Sequence, residues 1–234
     1  MKANDAVTGR SGLQEGDRAS DNSLFAAYMS LGQLYYQAGK TDQAVKEYET
    51  VLAKDSTVIP AHMLLGIIHD LKKEHDKAQA HHKQALKLNP KFAPAANNLA
   101  WLMAEQDGNL DVALSYAQTA REQQPNDPHI ADTLGSIYYK KNAYLLAVTL
   151  LKEAADKLPK DPVVQFHYGM AQYKNGNSAG AKKALQTSLN AQQRLLRIRR
   201  SPERRWLVYG GRSHKKGFTP VVRSLEGHST ASDF

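Results

Sequence analysis

Five histidines crowd into one stretch of the chain: His62, His69, His75, His81 and His82. Imidazole is a common transition-metal ligand. His62 and His69 stand seven residues apart, two helical turns, so a helix would put them on one face, and His82 could join them in a metal site. Lone sets of histidines seldom complete a ligand shell. The expectation is that these rings pack, and that the chain holds neither a metal nor another cofactor.

Other chemistries find less support. The chain has no cysteine, which excludes disulfides, thiolate metal sites and cysteine nucleophiles. It has no glycine-rich loop ending in Lys-Ser or Lys-Thr. Its acidic residues are scattered, and no pair of them is forced together by spacing. The chain is therefore expected not to be an enzyme.

The whole chain has 234 residues, 41% hydrophobic and 23% charged, ample for a buried core. Apolar runs are short, as in Leu64-Leu65-Gly66-Ile67-Ile68, far from the roughly 20 residues of a membrane span. No secretory signal is visible in the first 22 residues. The expected location is the cytoplasm, or the periplasm or envelope if the native N-terminus is missing. The net charge of +8 is uneven: residues from Ala191 onward hold ten Lys/Arg and three Asp/Glu. The body is nearly neutral, so the charge speaks for the tail and not for a nucleic-acid-binding fold.

What must position every side chain is an internal repeat. Leu31-Gly32, Leu65-Gly66, Leu99-Ala100, Leu134-Gly135 and Tyr168-Gly169 recur at steps of 34, 34, 35 and 34 residues. Ala44, Ala78, Ala113, Ala147 and Ala181 follow at 34, 35, 34 and 34, and Pro90, Pro125 and Pro159 form a third series. The extra residue falls in the loop Gln106-Asp107-Gly108-Asn109. Each unit reads as two helices. The first has apolar residues at helical spacing, as in Tyr28, Leu31 and Tyr35. A polar turn follows, Gly39-Lys40-Thr41 or Gly176-Asn177-Ser178, with Thr41 and Ser178 as expected N-caps. The second helix carries Ala44, Tyr48, Val51 and Leu52 on one face and stops before the proline. Gly32, Gly66, Gly135 and Gly169 are expected where the two helices cross closely. His62, His69 and His82 occupy the register of Tyr28, Tyr35 and Tyr48, so they are expected to fill the core of repeat 2.

With these residues the chain resembles the tetratricopeptide repeat family, most like its bacterial scaffold members. Repeat 1 matches the pattern with Tyr28, Leu31, Gly32, Tyr35, Ala44 and Tyr48, and repeat 2 with Leu65, Gly66, Ala78, Ala85 and Pro90. Repeat 3 keeps Leu99, Ala113, Ala120 and Pro125. Repeat 4 has Leu134, Gly135, Tyr138, Ala147, Ala154 and Pro159. Repeat 5 keeps Gly169 and Ala181 but lacks the proline. The resemblance implies an all-α, right-handed solenoid of five helix-turn-helix repeats over residues 23–190. The approximate units are 25–58, 59–92, 93–127, 128–161 and 162–195.

In this family the first helices line an inner groove that takes a peptide or partner segment. Carried over, the groove residues are Met29, Gln33 and Tyr36, then Met63, Ile67, Asp70 and Leu71, then Asn97 and Trp101 with Glu105. Asp132, Ser136 and Tyr139 follow with Lys140, then Phe166, Met170 and Tyr173 with Lys174. Trp101 is expected at the centre. Methionines and aromatics there suit adaptable protein binding. The chaperone-tail clamp of some members is missing, since Met29 and Gln33 replace its Lys and Asn. An asparagine ladder is missing too: the sixth positions read Ser30, Leu64, Asn98, Thr133 and His167.

The expected function is a protein-interaction scaffold, with self-association left open. Residues 1–22 read as a disordered linker. Residues 191–234 form a basic extension into which the last helix continues to about Arg199. With Arg194 to Arg200, Trp206 and Tyr209, that extension offers the alternative: binding to nucleic acid or an anionic membrane.

Overall fold

The computed structural model describes residues 24–106 and 108–200. The expected linker 1–22 and the tail past Arg200, with Trp206 and Tyr209, lie outside the described residues. Every regular element among the described residues is helical. Residues 24–37 form α1. There follow α2 (Thr41–Lys54), α3 (Ile59–Leu71), α4 (His75–Leu88), α5 (Ala93–Glu105), α6 (Leu110–Gln123), α7 (Pro128–Lys140), α8 (Tyr144–Lys157), α9 (Pro162–Lys174) and α10 (Ser178–Arg200). The ten helices fall into five pairs that fit the five sequence repeats. The described residues form two compact units, one up to Leu102 and one from Met103.

Proline and the left-handed turn set the helix limits. Prolines open α3, α7 and α9 at the first or second position, where a missing N–H costs nothing. The second helices α4, α6 and α8 stop two residues before Pro90, Pro125 and Pro159. Repeat 5 lacks that proline, and α10 runs on for 23 residues. Inside four of the repeats, the turn between the paired helices passes through positive φ at one register position: Gly39 (73°), Lys73 (64°), Asn142 (61°) and Gly176 (84°). Glycine takes this conformation freely, and asparagine tolerates it.

The expected caps Thr41 and Ser178 are corrected by one residue. Lys40 holds the cap position of α2 and makes no side-chain cap bond. Asn177 caps α10, its Oδ1 accepting the N–H of Gly180 at 2.9 Å. The turn itself sets these starts: Lys40 N–H donates to the Tyr35 carbonyl (2.8 Å), and Asn177 N–H to that of Gln172 (2.9 Å). Elsewhere Asn109, Asp127 and Asp161 cap α6, α7 and α9 with their side-chain oxygens.

In the first unit the core joins α2 to α3. Ala44, Tyr48 and Val51 meet Ala61, Leu65 and Ile68, with Phe25, Tyr28 and Tyr35 packed alongside. In the second unit Ala131, Ala154, Ala155 and Val164 form one cluster, and Ala147, Leu151 and Ala171 another. Arg121 of α6 clamps Glu153 of α8 through two bonds, 3.1 and 2.7 Å. The close crossings expected at the glycines are present. A Cβ on Gly32 would stand 2.6 Å from Tyr48 Cε1, on Gly66 2.4 Å from His82 Cε1, and on Gly135 or Gly169 2.7 Å from the Cγ of Leu151 or Leu185.

Candidate partner-binding faces of the first helices

Each first helix has one side in the core, so a binding face must come from its other side. In the first unit α3 shows the division most clearly. Ala61, His62, Leu65, Ile68 and His69 are buried. Met63 and Ile67 stay half-buried and Leu71 exposed. Their spacing of four residues puts those three on one strip of the helix. Asp70 is half-buried beside this strip, with His75 Nδ1 3.3 Å away. On α1, Met29, Gln33 and Tyr36 are half-buried, and Met29 and Tyr36 pack against the unit's own core. Burial raises the pKa of Tyr36. On α5, Trp101 is half-buried, whereas Asn97 is buried and its Oδ1 has no hydrogen-bond partner among the described residues.

In the second unit the corresponding residues lie on α7 and α9. Tyr139, Phe166 and Met170 are half-buried and Tyr173 is exposed. Tyr139 packs on the core of Ala147, Leu151 and Ala171 and lies 5.8 Å from the Tyr144 ring. Asp132 and Ser136 are buried. Asp132 is bound to His167 Nδ1 at 2.9 Å. Burial, the largest single influence on His167, opposes its charge, but the Asp132 carboxylate together with Glu105 and Asp161 raises the pKa overall. In the sequence His167 stands out only as a residue that breaks an asparagine ladder. Its pairing with Asp132, 35 residues earlier, joins two repeats, and nothing local in the sequence announces it. Lys140 extends the polar edge, donating to the Ala104 carbonyl (2.7 Å) and pairing with Glu105 (3.0 Å).

The histidine cluster packs, as the register of repeat 2 implies. His62, His69 and His82 are buried. His62 Nε2–H donates to the Ser56 carbonyl at 3.0 Å. Its Nδ1 lies 3.1 Å from His81 Nδ1, a contact in which one ring donates and the other accepts. His81 in turn stacks on His69, centroids 5.4 Å apart and planes 3° from parallel. His69 Nδ1 meets Glu74 at 2.8 Å. Burial, then repulsion from His62 and His69, pushes the His81 pKa down to about 4. His82 falls to about 4 through burial and then His81. Among the described residues, no three His, Cys, Asp or Glu side chains form a group that could hold a metal.

The repeated helix pairs, the glycine crossings and the turns agree with the sequence comparisons. Family models described as tetratricopeptide repeat match residues 29–81, 71–137 and 164–191. The chain belongs to the tetratricopeptide repeat family. Among solved structures of similar fold are PilW, described as a type IV pilus biogenesis factor, and MamA. The PilW structure has a TM-score of 0.64 and 20% identity, over 72% of this chain and 78% of that one. The MamA structure has a TM-score of 0.59 and 18% identity, over 77% and 98%. YrrB, described as a tetratricopeptide protein with an unusual peptide-binding site, gives 0.56 and 18% over 71% and 85%. Curated relatives include the BBSome complex member BBS4 of Bos taurus, 23% identical over 191 residues, 78% of this chain and 37% of the relative. The general transcriptional corepressor ssn6 of Schizosaccharomyces pombe is 26% identical over 127 residues, 53% and 11%. The chain thus spans well under half the length of either curated relative.

Proposed function

We propose that this tetratricopeptide repeat chain is a protein-interaction module that holds a peptide segment of a partner on the outer strips of its first helices. The observation that carries the reading is the second apolar strip of α3. Met63, Ile67 and Leu71 remain half-buried or exposed although Ala61, Leu65 and Ile68 already supply that helix's core contact. Apolar side chains left over from packing are surface available to a partner, and methionine adapts to varied shapes. The similarity in fold to YrrB supports the same reading.

Selection of displayed peptides on the purified full chain tests it. Bound peptides should carry apolar anchors. They should lose most of their affinity to Ile67→Glu and keep it with Leu145→Glu, a change at an exposed leucine on α8. Binding should change little with added salt, unlike contacts to phosphates. Peptides that bind Ile67→Glu and the unaltered chain equally would overturn the assignment.

A further inference from the structure

The register shows what each face of a first helix is for, and α1 departs from it. In α3 the residues Ala61, Leu65 and Ile68 seat the helix on α2 of the preceding repeat, against Ala44, Tyr48 and Val51. In α9, Val164 and Ala171 hold the matching positions and pack with residues of α8, Ala154 and Ala155 or Ala147 and Leu151. One repeat before Ala61, Leu65 and Ile68 stand Ala27, Leu31 and Leu34 of α1. Leu34 is 61% exposed, whereas Ile68, Leu102 and Ile137 at the same register are 3% exposed or less. Leu31 is 37% exposed, against 6% or less at Leu65, Leu99 and Leu134. Thus, among the described residues, nothing covers the surface of α1 that later repeats use for docking on a second helix.

The uncovered surface has its own pattern. Leu24, Ala27, Leu31, Leu34 and Ala38 are all exposed. Their spacings of 3, 4, 3 and 4 residues form a coiled-coil seam. No residue from 24 to 37 is charged, so two such helices meet without repulsion.

The chain's own N-terminal segment has the wrong chemistry to cover this seam in register. One repeat before Ala44, Tyr48, Val51 and Leu52 stand Arg10, Gln14, Asp17 and Arg18. A second copy of α1 has the right chemistry. Packed antiparallel about a two-fold axis, Leu31 of each copy meets Leu34 of the other, and Ala27 meets Ala38, so large layers lie inside small ones.

We infer that α1 is a self-association surface, through which two copies of this chain pair by their α1 seams. The pairing is weak. Fourteen residues make a helix about 21 Å long, and two such faces bury less than the roughly 1,200–2,000 Å² of a standard interface. The site is separate from the proposed peptide strip, since Met63, Ile67 and Leu71 lie on another helix.

Sedimentation velocity of the full chain over about 5–500 µM tests the pairing. The expected result is a monomer–dimer equilibrium with a dissociation constant of roughly tens to hundreds of micromolar, weakened tenfold or more by Leu34→Glu and unmoved by Leu145→Glu. Because Leu34 is exposed, circular dichroism of Leu34→Glu should match the unaltered chain. A covalent probe serves independently, since the chain has no cysteine. Leu31→Cys should give a dimer with a short bis-maleimide, and Leu145→Cys should not. A monomer throughout the range, species larger than a dimer, a dimer indifferent to Leu34→Glu, or equal cross-linking at Leu31→Cys and Leu145→Cys would overturn the inference. None of these outcomes bears on the Ile67→Glu peptide test.

Discussion

Gly66 lies against the imidazole of His82 so closely that a Cβ on the glycine would stand 2.4 Å from Cε1 of the ring. Gly32 and Tyr48 repeat the relationship one unit earlier, at 2.6 Å. The missing side chain on one helix is the space occupied by the ring on the next. Gly66→Leu and Gly135→Leu should therefore each cost about 1–3 kcal/mol or more through overpacking. Thermal melts check this. An unchanged melting temperature for Gly135→Leu would contradict the crossing with Leu151.

The same histidine makes the first unit sensitive to acid. The unfolded chain protonates His82 near pH 6.5, whereas burial delays protonation in the folded chain to about pH 4. The unfolded state thus binds more protons between those values, and stability falls as pH drops through that window. For a fully buried ring the loss is on the order of 3 kcal/mol. His81 shifts the same way. His167 has the opposite sign: its raised pKa gives stability that is present below pH 6.5 and is lost as pH rises past the folded value. His82→Tyr, which installs the residue of repeat 1, should flatten the fall in melting temperature from pH 6.5 to 4. An unaltered slope would show that His82 is not the group that titrates.

Lys73 holds positive φ at a register position that glycine fills in repeats 1 and 5. A side chain in that conformation is strained by its own Cβ. Lys73→Gly should stabilise the chain by roughly 0.5–1 kcal/mol. Urea unfolding checks the sign. A lower midpoint would mean that the lysine side chain does more for the turn than its strain costs.

Trp101 bears on the peptide reading. It is half-buried, so iodide should quench part of its fluorescence in a Trp206→Phe background, which removes the second tryptophan. An aromatic anchor in an interface commonly contributes 2 kcal/mol or more. Trp101→Ala should therefore weaken binding of a selected peptide by a factor on the order of 30, with little change in melting temperature. Loss of binding only in proportion to loss of fold would assign Trp101 to packing instead.

The sequence by itself determined the all-α class, the pairing of helices and the five-fold register, because a 34-residue spacing of small and apolar residues records local helix contacts. It also determined the close crossings at the glycines and the packing of His62, His69 and His82, since each lies one register step from a residue that performs the same task. It misplaced the caps at Thr41 and Ser178 by one residue, because the backbone bonds that close a turn leave no mark in residue type. Only the tertiary structure decided which side chains of the expected groove are open. Met63, Ile67 and Leu71 are left outside the core, Met29, Tyr36 and Tyr139 contribute to it, and Asn97, Asp132 and Ser136 are buried. The pairing of Asp132 with His167 and the naked seam of α1 belong to the same level. Both depend on what stands in the neighbouring repeat, and a pattern identical from repeat to repeat does not carry that information.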